Sequence, residues 1–221
     1  MRNLATSAYA KALGFDVVAD TQMGFMTTGQ ENVPGPQLGL VMERARGHEA
    51  CKWQGAVHSH PHVMRETMKL QLLDHLTGQG DRHPSNCFID VRPDGRVKVT
   101  GIDNDQCFGA RLTDPAGIRN THDPNAGYRG TGLPPVVDRQ MADTIMNLTQ
   151  NDVVKMLGNK LSEPEVNAAL SRLSGVQQHV AQLHSQGLVL DATQWGQVSH
   201  LLTADNSYIG RELAATGNVK F

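Results

Sequence analysis

A short central span of the chain holds most of the side chains whose types and spacing could perform chemistry. Asp81 and Asn86 lie five residues apart in GDRHPSN, and Asp103, Asn104 and Asp105 follow two apolar runs later in IDNDQCFG. Buried carboxylates are costly unless they are paired or bind a metal. Carboxylates act as acids, bases and metal ligands, so the span predicts a functional site built from oxygen groups.

Two strand-like runs are expected to bring these side chains together. CFIDV (87–91) and RVKVTGI (96–102) flank RPDG, in which Asp94-Gly95 is typical of a hairpin bend. The hairpin leads out of the first polar group and into the second. We therefore expect Asp81–Asn86 and Asp103–Asp105 at the same end of the hairpin.

The remaining elements are predicted from hydrophobic periodicity and capping residues. Apolar residues at three- and four-residue steps predict helices over 3–13 and 63–77. LGLVMERA (38–45) is the best strand candidate in the first quarter, after a shorter strand candidate in FDVV (15–18). Most of the chain after Asp138 is predicted to be helical, with a short helix over 193–202 and a loose tail from 206.

Composition excludes several classes of function. The 221 residues are 39% hydrophobic and 19% charged, with a net charge of −2, which gives no electrostatic reason to expect nucleic acid as a partner. No apolar run approaches the length of a transmembrane helix. Three widely spaced cysteines suit a reducing compartment, so a soluble cytoplasmic protein is predicted.

The GDRHPSN–hairpin–IDND arrangement resembles the catalytic loop and metal-binding segment of kinases. The order DRH is similar to that in phosphoinositide kinases and their atypical relatives, and DNDQCFG resembles the corresponding segment of secretory-pathway kinases. The surrounding sequence, including GLPPVVD, resembles bacterial secreted effectors of this fold, which implies delivery into a host cell.

The resemblance implies an α+β fold of the protein-kinase type in one domain, 1–221. Residues 1–46 would be a remnant of the N-lobe with the hinge, 47–205 the helical C-lobe, and 206–221 the loose tail. The implied function is phosphoryl transfer from ATP to a hydroxyl acceptor, dependent on Mg²⁺ or Mn²⁺.

Individual roles follow from the same resemblance. Asp81 would orient or deprotonate the acceptor hydroxyl, Arg82 and His83 would brace the loop, and His83 would help to stabilise the transferring charge. The implied metal ligands are Asn86, Asp103 and Asp105. Asn86 would also belong to the nucleotide-binding site. The backbone around Met42, Glu43 and Arg44 would bind adenine at the hinge.

The chain departs from the kinase pattern near its beginning. A kinase of this type carries a phosphate-binding lysine before the first helix, where only Met1 and Arg2 stand, and residues 1–15 lack an acidic partner for it. Three explanations are open: the chain is a piece of a longer protein, it is a degenerate kinase, or another chain completes the site. The first is preferred.

Other functions stay open from sequence. A pseudokinase-type binding module would keep the fold without chemistry, and the C-terminal helices would bind its partner. A metal-dependent hydrolase could use His75, His83 and Asp81, and another nucleotide transfer, such as adenylyl transfer, is also compatible. HSHPH (58–62) is interpreted as a solvated loop or helix cap rather than a metal site.

The acceptor is predicted from the charge of the loop after the metal segment. A Gly- and Pro-rich stretch over 110–135 is interpreted as the activation segment. Its charges and those just before it cancel, which favours a protein acceptor over an anionic lipid. The charges concerned are those of Arg111, Arg119 and Arg129 against Asp105, Asp114 and Asp123.

Overall fold

Helices and three small sheets alternate along the chain in an α+β arrangement, as predicted. The structure, a computed structural model, describes residues 1–27, 29, 35–118, 128 and 130–216. Part of the predicted activation segment, including Arg119, Asp123 and Arg129, lies outside these residues.

The N-terminal part contains a helix followed by a hairpin. Helix α1 spans Arg2–Ala12, and strands β1 (Thr21–Met26) and β2 (Gln37–Met42) pair antiparallel. The strand predicted for FDVV is wrong. Val18 forms only an isolated parallel bridge to Gly101, because the backbone there bonds to the end of a later strand instead of to a neighbouring hairpin.

The middle of the chain is dominated by one long helix. Strand β3 (His48–Glu49) and the single-turn helix α2 (Gly55–His58) precede α3, which spans Pro61–Thr77. The α3 N-terminus is capped by His60, whose Nδ1 accepts from the amide of His62. Pro61 occupies the first helical position, where a missing N–H has no cost.

The predicted polar hairpin forms with nearly the expected bounds. Strands β4 (Cys87–Val91) and β5 (Val97–Gly101) pair antiparallel, with Ile89 opposite Val99, and β3 adds to the β4 edge. Alternating side chains face the core, where Ile89 and Val99 are buried.

The C-terminal half is helical, and side chains cap its helices. Asp138 accepts from the amide of Met141, and reciprocal capping boxes form at Thr149–Asp152 and Ser162–Glu165. The elements are β6 (Val137–Asp138), α4 (Arg139–Asn147), α5 (Gln150–Leu157), α6 (Glu163–Ser185), β7 (Val189–Leu190) and α7 (Tyr208–Ala215). Strands β6 and β7 pair in parallel.

Two expectations for the C-terminus are corrected. Residues 193–202 form two 3₁₀ turns, Trp195–Gln197 and Ser199–Leu201, rather than a short α-helix. The expected loose tail contains α7 instead, since Tyr208 and Leu213 are buried in the core. Helix α7 packs on α2 and α3.

One hydrophobic cluster extends from α1 to α7, and α3 lies at its centre in contact with β5, α6 and α7. The polar loop that follows α3 is therefore anchored at one end to the most buried helix of the chain. Among the described residues, no helix combines the length and the apolar character required to cross a membrane.

Candidate functional site

The polar loop begins where α3 ends in a left-handed residue. Gly78 has φ +74°, and a Cβ placed there would lie 3.1 Å from the Arg172 guanidinium group. Glycine is thus required both by the backbone conformation and by the close approach of α6. The turn aims the chain from the buried helix toward Asp81.

Arg82 connects the predicted catalytic loop to the metal segment through five hydrogen bonds. Its Nε and Nη2 donate to the two carboxylate oxygens of Asp74 at 2.8 and 2.9 Å. Nη1 donates to the carbonyl oxygens of Asn86 (3.1 Å) and Ile102 (2.5 Å), and Nη2 also reaches Oδ1 of Asn104 at 2.7 Å. All five guanidinium donors are used, so the loop and the end of β5 are held in one arrangement.

Asp74 balances the charge of this buried arginine. Both side chains are about 98–99% buried, and the hydroxyl of Tyr208 donates to Oδ2 of Asp74 at 3.0 Å. Burial by itself would lower the pKa of Arg82, but the Asp74 carboxylate raises it above its ordinary value. Arg82 therefore holds the loop from inside the core.

Gln79 bridges the two residues predicted to carry out the chemistry. Its Oε1 accepts from the backbone amide of Asp81 at 3.0 Å, and its Nε2 donates to the carbonyl oxygen of Asp103 at 3.0 Å. Gln79 is buried. The prediction that the two polar groups meet at one end of the hairpin is confirmed by this pair of hydrogen bonds, and Gln79 itself was not predicted.

Asp103 combines a restricted backbone with an accessible side chain. Its φ is +56°, in the left-handed region that non-glycine residues seldom adopt. The residue is exposed, and within the described part of the chain its carboxylate makes no hydrogen bond or ion pair. The next residue, Asn104, is buried, and its amide donates to Oδ1 of Asn3 at 2.7 Å. The backbone is fixed on both sides while the carboxylate faces solvent.

The other predicted residues of the polar group occupy different environments. Asn86 is buried at the end of a 3₁₀ turn, Pro84–Asn86, and its carbonyl oxygen accepts from Arg82 and from the amide of Ile102. His83 precedes that turn and is half-buried. Asp105 is exposed, and in the described part of the chain only its carbonyl oxygen is engaged, by a long 3.5 Å contact from Arg2.

The segment after Asp105 is anchored by a second buried arginine. Arg172 on α6 donates to the carbonyl oxygens of Leu76, Gly109 and Leu112 at 3.2, 3.1 and 2.5 Å. Its guanidinium carbon also lies 5.9 Å from the ring centroid of Phe108, a cation–π geometry. Burial lowers the pKa of Arg172 to about 10. The arginine thereby fastens the start of the predicted activation segment to the end of α3.

Among the described residues, no hydrogen bond or ion pair joins the predicted adenine-binding residues to Asp81 or Asp103. Met42 ends β2, and Glu43 and Arg44 follow it along a cleft that also contacts Thr100 on the outer face of the β4–β5 hairpin. The amide of Glu43 donates to the carbonyl oxygen of Asp20 at 2.8 Å, so it is already engaged.

The histidine-rich stretch divides into a cap and a buried residue. His60 caps α3, as interpreted from sequence, whereas His58 is fully buried beside Glu212 at 3.6 Å and is not part of a solvated loop. Burial lowers the pKa of His58. His75 is buried as well, with Nδ1 at 2.8 Å from the Pro115 carbonyl oxygen. Over the described ranges, no three His, Cys, Asp or Glu side chains are grouped as metal ligands.

Sequence reasoning missed the residues that arrange the site from beneath. Asp74, Gln79 and Arg172 each make at least one contact with a residue distant in sequence, namely Tyr208, Asp103 and Leu76, and local spacing does not mark such contacts. One usable signal was the acidic residue in the last turn of α3, where the helix dipole disfavours a carboxylate unless a cation is close. No family model matches the chain, and no curated protein matches it significantly.

Proposed function

We propose that this chain has a kinase-like fold and transfers a phosphoryl group from ATP to a hydroxyl acceptor. One observation carries the proposal: Gln79 links Asp81 to Asp103, while Arg82 links the Asn86 backbone to the end of β5. Three residues whose sequence spacing resembles that of kinases thus belong to one hydrogen-bonded unit.

The oxygen groups present suit a magnesium ion. Mg²⁺ prefers oxygen ligands, and it is commonly bound by one or two side chains together with substrate phosphates and water. Asp103 offers an accessible carboxylate and Asn86 a buried amide oxygen, and Asp105, two residues after Asp103, is exposed. Mn²⁺ accepts the same donors. When bound, the ion would neutralise charge on the phosphates of ATP.

Asp81 is assigned the role of receiving the acceptor hydroxyl, as the kinase resemblance implies. Gln79 fixes its backbone amide, and Arg82, the next residue, is held in the core. On a backbone held in this way, the Asp81 carboxylate would orient the hydroxyl and accept its proton as the bond to phosphorus forms. Gln79 and Arg82 act as positioning residues in this proposal, since their side-chain contacts are to the protein itself.

Adenine would bind along the segment that follows β2. The Glu43 carbonyl oxygen and the Arg44 amide form no backbone hydrogen bonds with other described residues, so both are available to a base edge. The Glu43 amide is excluded from this role by its bond to Asp20. A protein acceptor is preferred to an anionic lipid, because the positive and negative charges in and just before the predicted activation segment cancel.

A second candidate function is a pseudokinase-type binding module. It is favoured because Lys11 in α1 and Lys98 in β5 already form ion pairs. Lys11 pairs with Asp20 at 3.3 Å, and Lys98 pairs with Asp16 at 3.0 Å. No described lysine contacts Asp81, Asn86 or Asp103 through a hydrogen bond or ion pair. This candidate therefore rests on the lack of a described lysine that anchors a phosphate at these residues.

The test is titration calorimetry of ATP with Mg²⁺ or Mn²⁺ on the unchanged chain, on Asp103→Asn and on Asp94→Asn. Asp94 lies in the turn at the other end of the hairpin and serves as a matched control. We expect metal-dependent binding that is lost in Asp103→Asn and kept in Asp94→Asn. No binding by the folded unchanged chain would overturn the proposal. Binding without transfer to any hydroxyl acceptor would favour the second candidate.

A further inference from the structure

A concave cleft of about 190 Å³ lies between the segment after β2 and the outer face of the β4–β5 hairpin. Its charged lining consists of Arg44, Arg46, Arg92 and Lys98, with Glu43 and Asp90. Four cations and two carboxylates give this lining a formal charge of +2, whereas the whole chain carries −2. Positive charge is therefore concentrated in this cleft.

Two of the cations are held in place by acidic partners. Arg92 pairs with Asp90 at 3.1 Å, and Lys98 pairs with Asp16 at 3.0 Å. The side chains of Arg92 and Lys98 are only about one third exposed. They form a partly buried wall, in which Asp90 is already neutralised by its neighbour.

The other two cations have no such partners. Among the residues that the structure describes, Arg44 and Arg46 make no ion pair and no side-chain hydrogen bond. Arg65 and Arg139, in contrast, each pair with an aspartate at 2.6 Å. Two uncommitted guanidinium groups, two residues apart, thus face the same cleft.

The shape and donors of the cleft define the class of ligand. Drug-sized ligands occupy sites of roughly 300–1,000 Å³, so a cleft of about 190 Å³ suits a smaller group. Guanidinium groups bind phosphate through paired hydrogen bonds, and the Thr100 hydroxyl on the buried side of the cleft adds a further donor.

We propose that this cleft binds a phosphate group, either as a free small phosphate compound or as part of a lipid headgroup. The cleft shares Glu43 and Arg44 with the proposed adenine segment. Neither Asp81 nor Asp103 lines it, so the inference does not rest on phosphoryl transfer at the carboxylates. It assigns a role to Arg46 and Lys98 that phosphoryl transfer at the carboxylates would not use.

The test follows backbone amide chemical shifts while inorganic phosphate is added to the unchanged chain, Arg46→Ala and Arg96→Ala. Arg96 is the matched control, since it lies in the same hairpin, pairs with Asp94 and does not line the cleft. We expect saturable shifts at residues 44–46 and 98–100. The dissociation constant should rise about tenfold or more in Arg46→Ala, because a charge-assisted bond is lost, and stay unchanged in Arg96→Ala.

Equal affinities in all three proteins, or shifts that never saturate, would overturn the inference. Arg46→Lys keeps the charge but loses the paired geometry, so intermediate binding is expected from it. Sedimentation with phosphatidylcholine vesicles that contain phosphatidic acid identifies the source of the phosphate. Vesicle binding that Arg46→Ala abolishes supports a lipid headgroup. Saturable binding of inorganic phosphate without vesicle binding supports a soluble compound. Asp103→Asn should leave phosphate binding intact, which separates this site from the proposed metal site at the carboxylates.

Discussion

Replacing Arg82 by leucine would remove five hydrogen bonds and leave the Asp74 carboxylate buried with only the Tyr208 hydroxyl as a described partner. Breaking one side of a buried ion pair typically costs about 3–5 kcal/mol. A domain of this size is stable by roughly 5–15 kcal/mol and loses about 2–4 °C of melting temperature per kcal/mol. We therefore expect Arg82→Leu to lower the melting temperature by roughly 6–20 °C.

Urea unfolding followed by circular dichroism measures the loss of stability directly. Arg96→Leu is the control, since its ion pair with Asp94 is exposed, and no measurable change is expected from it. The double variant Asp74→Leu/Arg82→Leu should be more stable than Arg82→Leu alone, because it leaves no unpaired buried charge. A loss in Arg82→Leu no larger than that in Arg96→Leu would refute the central role of the Arg82–Asp74 pair.

Three further predictions concern other buried groups. Burial lowers the pKa of His75 below its ordinary 6.5, so the free energy of unfolding should fall as the pH decreases below about 6.5. Calorimetry should show a smaller decrease for His75→Asn. Burial raises the pKa of Cys87 to about 12 and of Cys107 to about 11, so maleimide should label only exposed Cys51 before unfolding, as counted by mass spectrometry. Gln79→Ala should weaken metal-dependent ATP binding without a matching loss in melting temperature; unchanged binding would contradict its positioning role.

The local elements could be predicted because their signals lie close together in sequence. The β4–β5 hairpin follows from alternating apolar residues around Asp94-Gly95, and Gly95 has the expected positive φ of +80°. The helix that begins after Ser162 follows from its capping box and Pro164. In each case the residues that determine the element are neighbours in the chain.

Helix α7 was missed because its stability depends on distant packing. Its sequence, YIGRELAA, contains a glycine that disfavours an isolated helix. Tyr208 and Ile209 are buried in the core, and Ser207 caps the helix by accepting from the amide of Gly210. The Tyr208–Asp74 hydrogen bond spans 134 residues, a separation that no local pattern encodes.

Three arginines from separate elements converge on the segment that follows β5. Arg82 donates to the carbonyl oxygen of Ile102, Arg2 contacts that of Asp105, and Arg172 donates to carbonyl oxygens farther along the segment. No α-helix or β-strand is present between the end of β5 and residue 114. These carbonyl oxygens therefore accept no hydrogen bonds from the backbone amides of a regular helix or sheet. The guanidinium groups supply the missing donors.

This arrangement holds the backbone of the segment while its carboxylates stay accessible. Because the arginines bind carbonyl oxygens, they fix the backbone without neutralising the carboxylates of Asp103 and Asp105, which stay exposed. An arginine paired with either carboxylate would instead have compensated its negative charge. The positive φ of Asp103 fits the same logic, since a sparsely populated conformation persists only where its surroundings enforce it. Here Arg82 bonds to the Ile102 carbonyl oxygen before Asp103, while Gln79 and Asn3 bond to the carbonyl oxygen and the amide of the peptide group after it.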